Sequence, residues 1–312
     1  MKIIITGGAG TIGQAILRNY PENDYLAICR TELHAVKLRE RFPNYQVALG
    51  TIEDLSFLIR TFTAFKPDVV IHAAAMKHVD LVEQQPITAI KINVLGSLNI
   101  IEASTLCEVP VTVGISTDKA CTCENVYGAT KWLMERSFLA ANTEKVKFSL
   151  ARFSNVAHST GSVIPKWLEA AKMGKPLELT DDHMVRLMFT SSEAASLIMH
   201  IVGETQISGG GFIGTYLTRA VRLLDLARAI SDNVIITGRR SGETFVEDLI
   251  SRDELPYTQY ISGHFVKITK TKNDDLKTCL LSPYSAANAK TMSSEELLQL
   301  IKHEENTNNT SK

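Results

Sequence analysis

Tyr127 and Lys131 have the residue types and the spacing of a site that moves a proton and a hydride. Two residues four positions apart on a helix place their side chains on one face, about 6 Å from each other. The tyrosine phenol has an ordinary pKa of about 10, and a neighbouring ammonium lowers it because it favours the phenolate. Tyr127 is therefore a candidate to accept the proton of an alcohol as a hydride leaves the same carbon. Ordinary surface helices show the same spacing, so the rest of the chain must decide between the two interpretations.

A second candidate group lies shortly before this pair in the chain. Thr117, Asp118 and Lys119 follow the apolar run 111–115, which predicts that they lie at the carboxyl end of a strand. Open parallel sheets bind their ligands at that edge. A carboxyl group beside an amine can supply a general acid and a general base, provided that burial raises the pKa of Asp118 and lowers that of Lys119. On spacing alone, an exposed Asp–Lys pair on a loop is the alternative.

The start of the chain predicts a site for a dinucleotide. A β-branched run is followed by a glycine motif, Gly7 to Gly13, that includes Gly10, Thr11 and Ile12, and then by a helical pattern through Ile16 and Leu17. Glycines at this spacing allow a tight turn, a close approach of the backbone to a pyrophosphate and close packing of helix on strand. The phosphates would then face the N-terminus of the helix. A glycine cluster can be only a turn, but its place between the first strand and the first helix favours dinucleotide binding.

The second predicted strand bears on the choice of cofactor. It runs into Arg30 and Thr31, where a site for NAD usually has an acid that binds the ribose. Arg30 suits a 2′-phosphate, so NADP is favoured over NAD. An exposed charge that opens a basic helix is the alternative interpretation of Arg30.

Two further features of this half are assigned to the same cofactor. Ala73 and Ala74 follow the predicted strand 68–72, and their small side chains would let a flat ring lie against the backbone. Asn93 falls on a predicted helix over 87–103, either as a buried bridging amide or as an exposed polar residue.

The order of the elements predicts the fold. Apolar strands alternate with helices of ten or more residues, which is typical of an α/β protein with a Rossmann-type doubly wound parallel sheet. We expect residues 1–155 to form the dinucleotide-binding core and about 182–216 to return to it. A smaller C-terminal α/β lobe for the substrate comprises 156–181 and about 217–302, with a cleft between lobe and core. Residues 303–312 are predicted to be a flexible tail.

The composition excludes several classes of partner. The 312 residues include 33 Lys and Arg and 34 Asp and Glu, mixed along the chain, for a formal net charge of −1. Without a basic block, we expect neither nucleic acid nor a membrane as a partner. Cys121 and Cys123 lack the further Cys or His that a metal site needs, and no apolar run reaches the ~20 residues of a membrane helix. The pattern at the N-terminus is not that of a signal peptide, so a reduced, cytoplasmic protein without a metal is predicted.

Longer motifs resemble those of a known family. The glycine motif, the Tyr127/Lys131 pair and the alternation of elements together resemble the extended short-chain dehydrogenase/reductases. The segments that narrow this resemblance are HAAAMKHVDLVEQQP (72–86), STDKA (116–120), NVYGATK (125–131), RFSNV (152–156), SVIP (162–165), LTDDHMVR (179–186), SGETFVEDLI (241–250) and PYSAANAK (283–290). They are similar to segments of the soluble UDP-N-acetylglucosamine 4,6-dehydratases, especially the C5-inverting enzymes that begin pseudaminic acid synthesis. MKHVD and STDKA are much more specific than the glycine motif.

The resemblance implies a lyase that ends its cycle with NADP unchanged. A hydride leaves C4 of the sugar for the cofactor while Tyr127, helped by Lys131 and Thr117, accepts the hydroxyl proton. Lys119 then removes the C5 proton and Asp118 protonates the leaving C6 oxygen, after which the hydride returns to C6. Reprotonation of C5 from the opposite face gives an inverted UDP-4-keto-6-deoxy-N-acetylhexosamine for surface-glycan synthesis. The residues implied to contact the UDP-sugar are Lys77, His78, Asn155, Lys166, Arg186, Arg240 and Glu243, and a homo-oligomer is expected.

Three departures from the family pattern leave other functions open. Thr160 replaces a usual arginine, Thr51 a usual adenine-binding aspartate, and the stretch 121–123 a segment that usually contains proline. These changes leave the hydride-transfer residues intact but can mark a different nucleotide sugar or a different outcome. The alternatives are a nucleotide-sugar epimerase without dehydration and a non-catalytic dinucleotide-binding regulator.

Overall fold

The structure is a computed structural model that describes residues 1–239, 242–273, 275 and 279–302. Within these residues the strands, β1 to β16, are Lys2–Thr6, Asp24–Cys29, Gln46–Leu49, Val69–His72, Val111–Thr117, Lys147–Phe153, Asn155–Val156, Leu177–Leu179, Val185–Phe189, Ile213–Tyr216, Ala220–Arg222, Val234–Ile236, Asp248–Ile250, Thr258–Ser262, Phe265–Ile268 and Tyr284–Ser285. The α-helices, α1 to α12, are Thr11–Asn19, Glu32–Arg41, Leu55–Phe65, Val79–Gln84, Pro86–Ala89, Gly96–Leu106, Lys119–Thr122, Val126–Ala141, Val163–Lys172, Ser191–Ser208, Leu223–Arg228 and Ser294–Lys302. A π-helix, Ile90–Leu95, joins α5 to α6, and a 3-10 helix spans Arg252–Tyr257.

A nine-stranded sheet forms the centre of the molecule, in the order β14-β15-β10-β6-β5-β4-β1-β2-β3. The seven strands from β10 to β3 are parallel, and the hairpin of β15 and β14 adds two antiparallel strands at the β10 edge. The strand order reverses between β1 and β4, which is the switch point where doubly wound sheets bind their ligands. The predicted α/β class and Rossmann-type sheet are confirmed.

The central strands are buried on both faces, which explains why their sequences are apolar runs rather than alternations. Ile3, Ile4 and Ile5 of β1 are each 0% exposed. Helices α3, α6 and α8 cover one face of the sheet, and α1 and α10 pack together over the other. A helix that packs on a sheet in this way needs an apolar stripe along one side. The spacing of its apolar residues therefore allows the helix to be predicted from the sequence.

The lobe contains three small sheets and its own apolar core. The sheets have the strand orders β11-β9-β7, β12-β8 and β13-β16. The core of the lobe includes Trp167 of α9, Leu177 of β8, Leu226 of α11 and Leu300 of α12. Helix α12 begins with the predicted capping box, in which the Glu296 N–H donates to Ser293 Oγ at 3.3 Å.

The boundary between core and lobe differs from the prediction at three places. Strand β9, within the segment 182–216, pairs with β7 and β11 in a lobe sheet and not with the central sheet. The hairpin β14–β15, within 217–302, joins the central sheet, because buried residues of β15 cover the edge that β10 would otherwise expose. The predicted amphipathic helix over 221–230 begins only at Leu223, since β11 precedes it.

Two predictions fall outside the described residues, namely Arg240 as a substrate contact and 303–312 as a flexible tail. No helix within the described ranges is both long enough and apolar enough to span a membrane.

Candidate active site

A cleft of about 900 Å³ lies at the carboxyl ends of β1, β4 and β5, with lobe residues on its far side. Most of the residues assigned from the sequence line it: Gly7, Gly10, Thr11, Ile12, Gly13, Arg30, Ala73, Ala74, Lys77, His78, Thr117, Lys119, Tyr127, Lys131, Asn155, Arg186 and Glu243. Four assigned residues that the structure describes do not line it: Thr31, Asn93, Asp118 and Lys166. Of these, Asp118 is buried beside the cleft, whereas Lys166 is exposed on α9.

The glycine loop has the geometry of a dinucleotide cradle. Gly7 has a φ of +70°, and a Cβ there would lie 2.9 Å from the backbone nitrogen of Ala74. A Cβ on Gly13 would lie 2.5 Å from the Gly8 carbonyl oxygen, so helix α1 packs against the loop as closely as glycine allows. Among the described residues, no side chain caps α1 at Gly10, which leaves its N-terminal N–H groups directed at a phosphate site. These features fit a bound dinucleotide.

The ribose end of the cleft combines Arg30 with a residue that sequence reasoning missed. Arg30 follows β2, is exposed and lines the cleft together with His34 of α2. Thr31 has a different role from the one assigned, because its hydroxyl accepts the His34 N–H at 3.4 Å and caps α2. Thr51 and Glu53 also line the cleft, and the Thr51 hydroxyl donates to Glu53 at 2.9 Å.

Asn93 is a buried bridging amide, so the open alternative is decided in favour of burial. Its side chain accepts the Met76 N–H at 2.8 Å, and it donates to the Met76 carbonyl at 2.9 Å and to the Thr130 hydroxyl at 3.1 Å. Asn93 therefore ties the chain after β4, which includes the two alanines that line the cleft, to helix α8. Asn93 thus supports the wall of the predicted cofactor site without lining the cleft itself.

Tyr127 and Lys131 lie on α8 as predicted, but the expected pKa shift of the phenol is wrong. Burial raises the pKa of Tyr127 to about 12, and the Lys119 charge and a hydrogen bond with Thr117 offset this only in part. Lys131 is turned toward the sheet, where its ammonium donates to the Ile115 carbonyl at 2.6 Å. Burial lowers the pKa of Lys131 to about 8, and Glu135 acts in the opposite direction.

Asp118 and Lys119 form a buried acid–base cluster with Glu247, a residue that was not assigned. The Lys119 ammonium lies 3.2 Å from Asp118 and 2.8 Å from Glu247. Burial, followed by repulsion from Glu247, raises the pKa of Asp118 to about 6, in the predicted direction. The predicted lowering for Lys119 is wrong: burial does act to lower its pKa, but Asp118 and Glu247 outweigh burial and raise it. Glu247 lies four residues after Glu243 in the quoted segment 241–250, so its motif was visible although its role was not.

Two of the residues assigned to the UDP-sugar, Asn155 and Arg186, contact the same glutamate. Asn155 donates to Glu247 at 2.8 Å, and the Arg186 guanidinium lies 3.4 Å from it. Arg186 also donates to the carbonyls of Thr244 at 2.7 Å and Phe245 at 2.9 Å. The lobe strand that carries Arg186 thus holds the segment leading to Glu247.

A buried ion cluster lies behind the candidate catalytic residues and was also missed. Arg152 of β6 donates in a bidentate manner to Glu135 of α8, at 2.9 and 2.8 Å, and to Glu254 at 2.9 and 2.8 Å. Ser116, which precedes Thr117, donates to Glu135 at 2.7 Å, and the Cys121 thiol donates to Glu254 at 3.4 Å. The cluster therefore joins β5, α7, α8 and the lobe. Cys121 has a raised pKa through burial, as expected of an inert thiol.

Comparisons with known proteins agree with this arrangement. A family model described as "Polysaccharide biosynthesis protein" matches residues 3–268. The UDP-N-acetylglucosamine 4,6-dehydratase (inverting) of Campylobacter jejuni is 32% identical, with 97% of this chain and 98% of that enzyme covered. The UDP-glucose 4-epimerase of Rickettsia bellii is 27% identical over 96% of this chain and 94% of that protein. The X-ray structure of Pen from Bacillus thuringiensis has a TM-score of 0.88 and 29% identity, and covers 97% of each chain. On these matches, the chain belongs to the polysaccharide biosynthesis protein family.

Proposed function

We propose that this protein is an NADP-dependent nucleotide-sugar 4,6-dehydratase that acts on UDP-N-acetylglucosamine and inverts C5. The observation that carries the proposal is that Asp118, Lys119 and Tyr127 meet beside a cleft with a dinucleotide cradle. The 32% identity over nearly the full length of the Campylobacter jejuni dehydratase supports the same reaction. The product would be a UDP-4-keto-6-deoxy-N-acetylhexosamine for surface glycans, and we expect a homo-oligomeric enzyme.

The residues that would hold the cofactor are those of the glycine loop, the two alanines after β4, Lys131 and Arg30. When bound, a nicotinamide dinucleotide supplies reversible hydride transfer. Arg30, with His34 beside it, offers positive charge and hydrogen-bond donors to a 2′-phosphate, which favours NADP over NAD. Lys131 lines the cleft from α8, the helix that also carries Tyr127, and would contribute a buried amine there.

The proton steps fall to the residues at the sheet edge. Tyr127, hydrogen-bonded to Thr117, accepts the proton of the C4 hydroxyl. Lys119 takes the proton from C5 after C4 has become a ketone, and Asp118 gives a proton to the leaving C6 oxygen. With a pKa of about 6, Asp118 is protonated in about a tenth of the molecules at pH 7, so the acid form is within reach.

The substrate would lie between the sheet edge and the lobe. Arg186 and Asn155 are our candidates for the diphosphate, since arginine presents a planar fork that suits phosphate oxygens. Lys77, His78 and Glu243 also line the cleft, and we assign the first two to the sugar and Glu243 to the uridine. Lys166, exposed on α9, would need to turn inward to reach a phosphate.

One NMR experiment tests the reaction. The purified protein is mixed with UDP-N-acetylglucosamine and catalytic NADP⁺ in D₂O, and the signals of C4, C5 and C6 are followed. We expect a 4-keto-6-deoxy product with deuterium at C5, whose ring couplings report inversion. If UDP-N-acetylglucosamine does not react but another nucleotide sugar does, the proposed substrate is refuted while the proposed reaction type stands.

A second candidate is a nucleotide-sugar epimerase without dehydration, which the similarity to the Rickettsia bellii epimerase favours. In the same experiment it would isomerise the substrate without loss of water. For a non-catalytic regulator, Tyr127→Phe and Lys119→Ala would leave the biological activity unchanged.

A further inference from the structure

Glu247 is placed to control the amine that the proposed reaction uses as its base. We propose that Glu247 is a positioning residue, which holds the Lys119 ammonium from across the cleft and thereby sets the pH at which Lys119 becomes a base. This inference rests on the proposed function for its catalytic meaning. The contact between the two side chains can be tested without turnover.

The geometry places the two residues on different parts of the fold. Lys119 is the first residue of α7, at the edge of the central sheet, whereas Glu247 immediately precedes β13 of the lobe. Their side chains are 18% and 6% exposed and meet at 2.8 Å. This ion pair is therefore a buried link between sheet and lobe, in a setting where solvent screens it weakly.

Glu247 is itself fixed by two polar neighbours. Asn155 donates to one of its oxygens at 2.8 Å, and the Arg186 guanidinium faces the same oxygen at 3.4 Å. The other oxygen receives the Lys119 ammonium. One carboxylate thus connects the candidate base to the two candidate diphosphate ligands.

The charges around Lys119 determine the direction of the effect. It faces Asp118 from its own loop, Glu247 and Arg186 from the lobe, and Tyr127 from α8. The two carboxylates stabilise the ammonium, and the guanidinium opposes them. Removing the charge of Glu247 leaves one carboxylate against one guanidinium, so Lys119 should lose its proton at lower pH.

The first test is a titration of Lys119 in the full-length protein. Lysine labelled with ¹³C at the ε position reports the charge of each amine by NMR, and Lys119→Arg identifies the signal that belongs to Lys119. In the wild type, we expect Lys119 to titrate above the ordinary lysine value of about 10.4. In Glu247→Gln, the midpoint should fall by at least about one pH unit, which is tenfold in the neutral fraction.

Two variants keep the test decisive. Glu247→Asp retains the charge but withdraws it by one methylene, and should give a smaller shift in the same direction even if Glu247→Gln fails to fold. Asp248→Asn removes a carboxylate from the neighbouring residue, which lines a small cavity beside Lys119 but is not among the charges that act most on it, and should shift the Lys119 midpoint far less. An unchanged midpoint in Glu247→Gln, or an equal shift in Asp248→Asn, would overturn the proposal.

The second test uses the reaction. The acid limb of the pH profile for C5–H exchange into D₂O should move to lower pH in Glu247→Gln by the same amount as the NMR midpoint. A limb that stays in place while the midpoint moves would refute the catalytic part of the inference. If Lys119 titrates as expected but no nucleotide sugar reacts, the proposed function fails while the link between Glu247 and Lys119 stands.

Discussion

Arg152→Met should cause a large loss of stability. The guanidinium is 0% exposed and makes four hydrogen bonds to the carboxylates of Glu135 and Glu254. Methionine fills part of the same space without the charge, so both carboxylates would remain buried without their counter-ion. Breaking a buried ion pair in this way is far more damaging than replacing the whole cluster with apolar residues.

The size of the loss in unfolding free energy can be worked out from the pKa of Glu254. Burial acts to raise the pKa of this carboxyl, but Arg152 outweighs burial and lowers it from 4.5 to about 2. At about 1.4 kcal/mol per pH unit, the ionised Glu254 contributes about 3 kcal/mol to folding at pH 7. Because the pKa is lowered in the folded state, this contribution is complete above about pH 4.5 and is lost as the pH falls toward 2. Together with the second unpaired carboxylate, we expect a loss of about 3–5 kcal/mol at pH 7.

Urea unfolding followed by circular dichroism measures this loss. At pH 7 the unfolding midpoint of Arg152→Met should lie far below that of the wild type, and the gap should narrow at pH 3, where the Glu254 carboxyl of the variant binds a proton. Lys145→Met is the matched control, since it removes an exposed ion pair with Glu108 and should change the free energy of unfolding by less than about 1 kcal/mol. A variant at Arg152 within 1 kcal/mol of the wild type at pH 7 would refute the reasoning.

Three further predictions concern the cleft. Tyr127→Phe should lower the rate of C4 oxidation by about 10²–10⁴-fold while the circular dichroism spectrum stays unchanged, and a variant with near-normal turnover would exclude the phenol as the base. In a stopped-time assay over pH 5–9, the wild-type dehydration rate should rise with the neutral fraction of Lys119 up to about pH 6 and then level off, because the protonated fraction of Asp118, whose pKa is about 6, falls in proportion. In Asp118→Asn the rate should be lower and should keep rising with pH. Arg30→Ala should weaken NADPH binding, measured by nucleotide fluorescence, by at least about tenfold and leave NADH binding nearly unchanged; equal effects on both would contradict a 2′-phosphate contact.

A structural feature could be predicted from the sequence wherever one short segment contains all the residues that determine it. The strands β1, β4 and β5 are apolar runs because both of their faces are buried, and the glycine loop could be predicted because each glycine meets a local backbone constraint. The burial of Asn93 stayed open, because an isolated polar residue on a helix gives no indication of which way it faces.

The missed features depend on residues that are distant in the chain. Lys119 and Glu247 are brought together by the lobe, so the spacing of Asp118 and Lys119 alone gave the wrong sign for the lysine pKa. For Tyr127, helical spacing correctly placed Lys131 on the same helix, but the fold directs its ammonium toward the Ile115 carbonyl. Strand β14 was not predicted because four of its five residues are exposed and it has no apolar run.

The hairpin at the β10 edge has a consequence for the order in which the chain is made. Seven parallel strands are complete once Tyr216 has emerged, but their outer edge is paired only when β15 follows, beginning 49 residues later at Phe265. At a synthesis rate of about 5–20 residues per second, the bare edge of β10 would persist for several seconds on the ribosome. During that interval it can pair with the edge of another nascent chain. The finished hairpin ends the sheet in β14, whose exposed, largely polar residues make a poor template for further pairing.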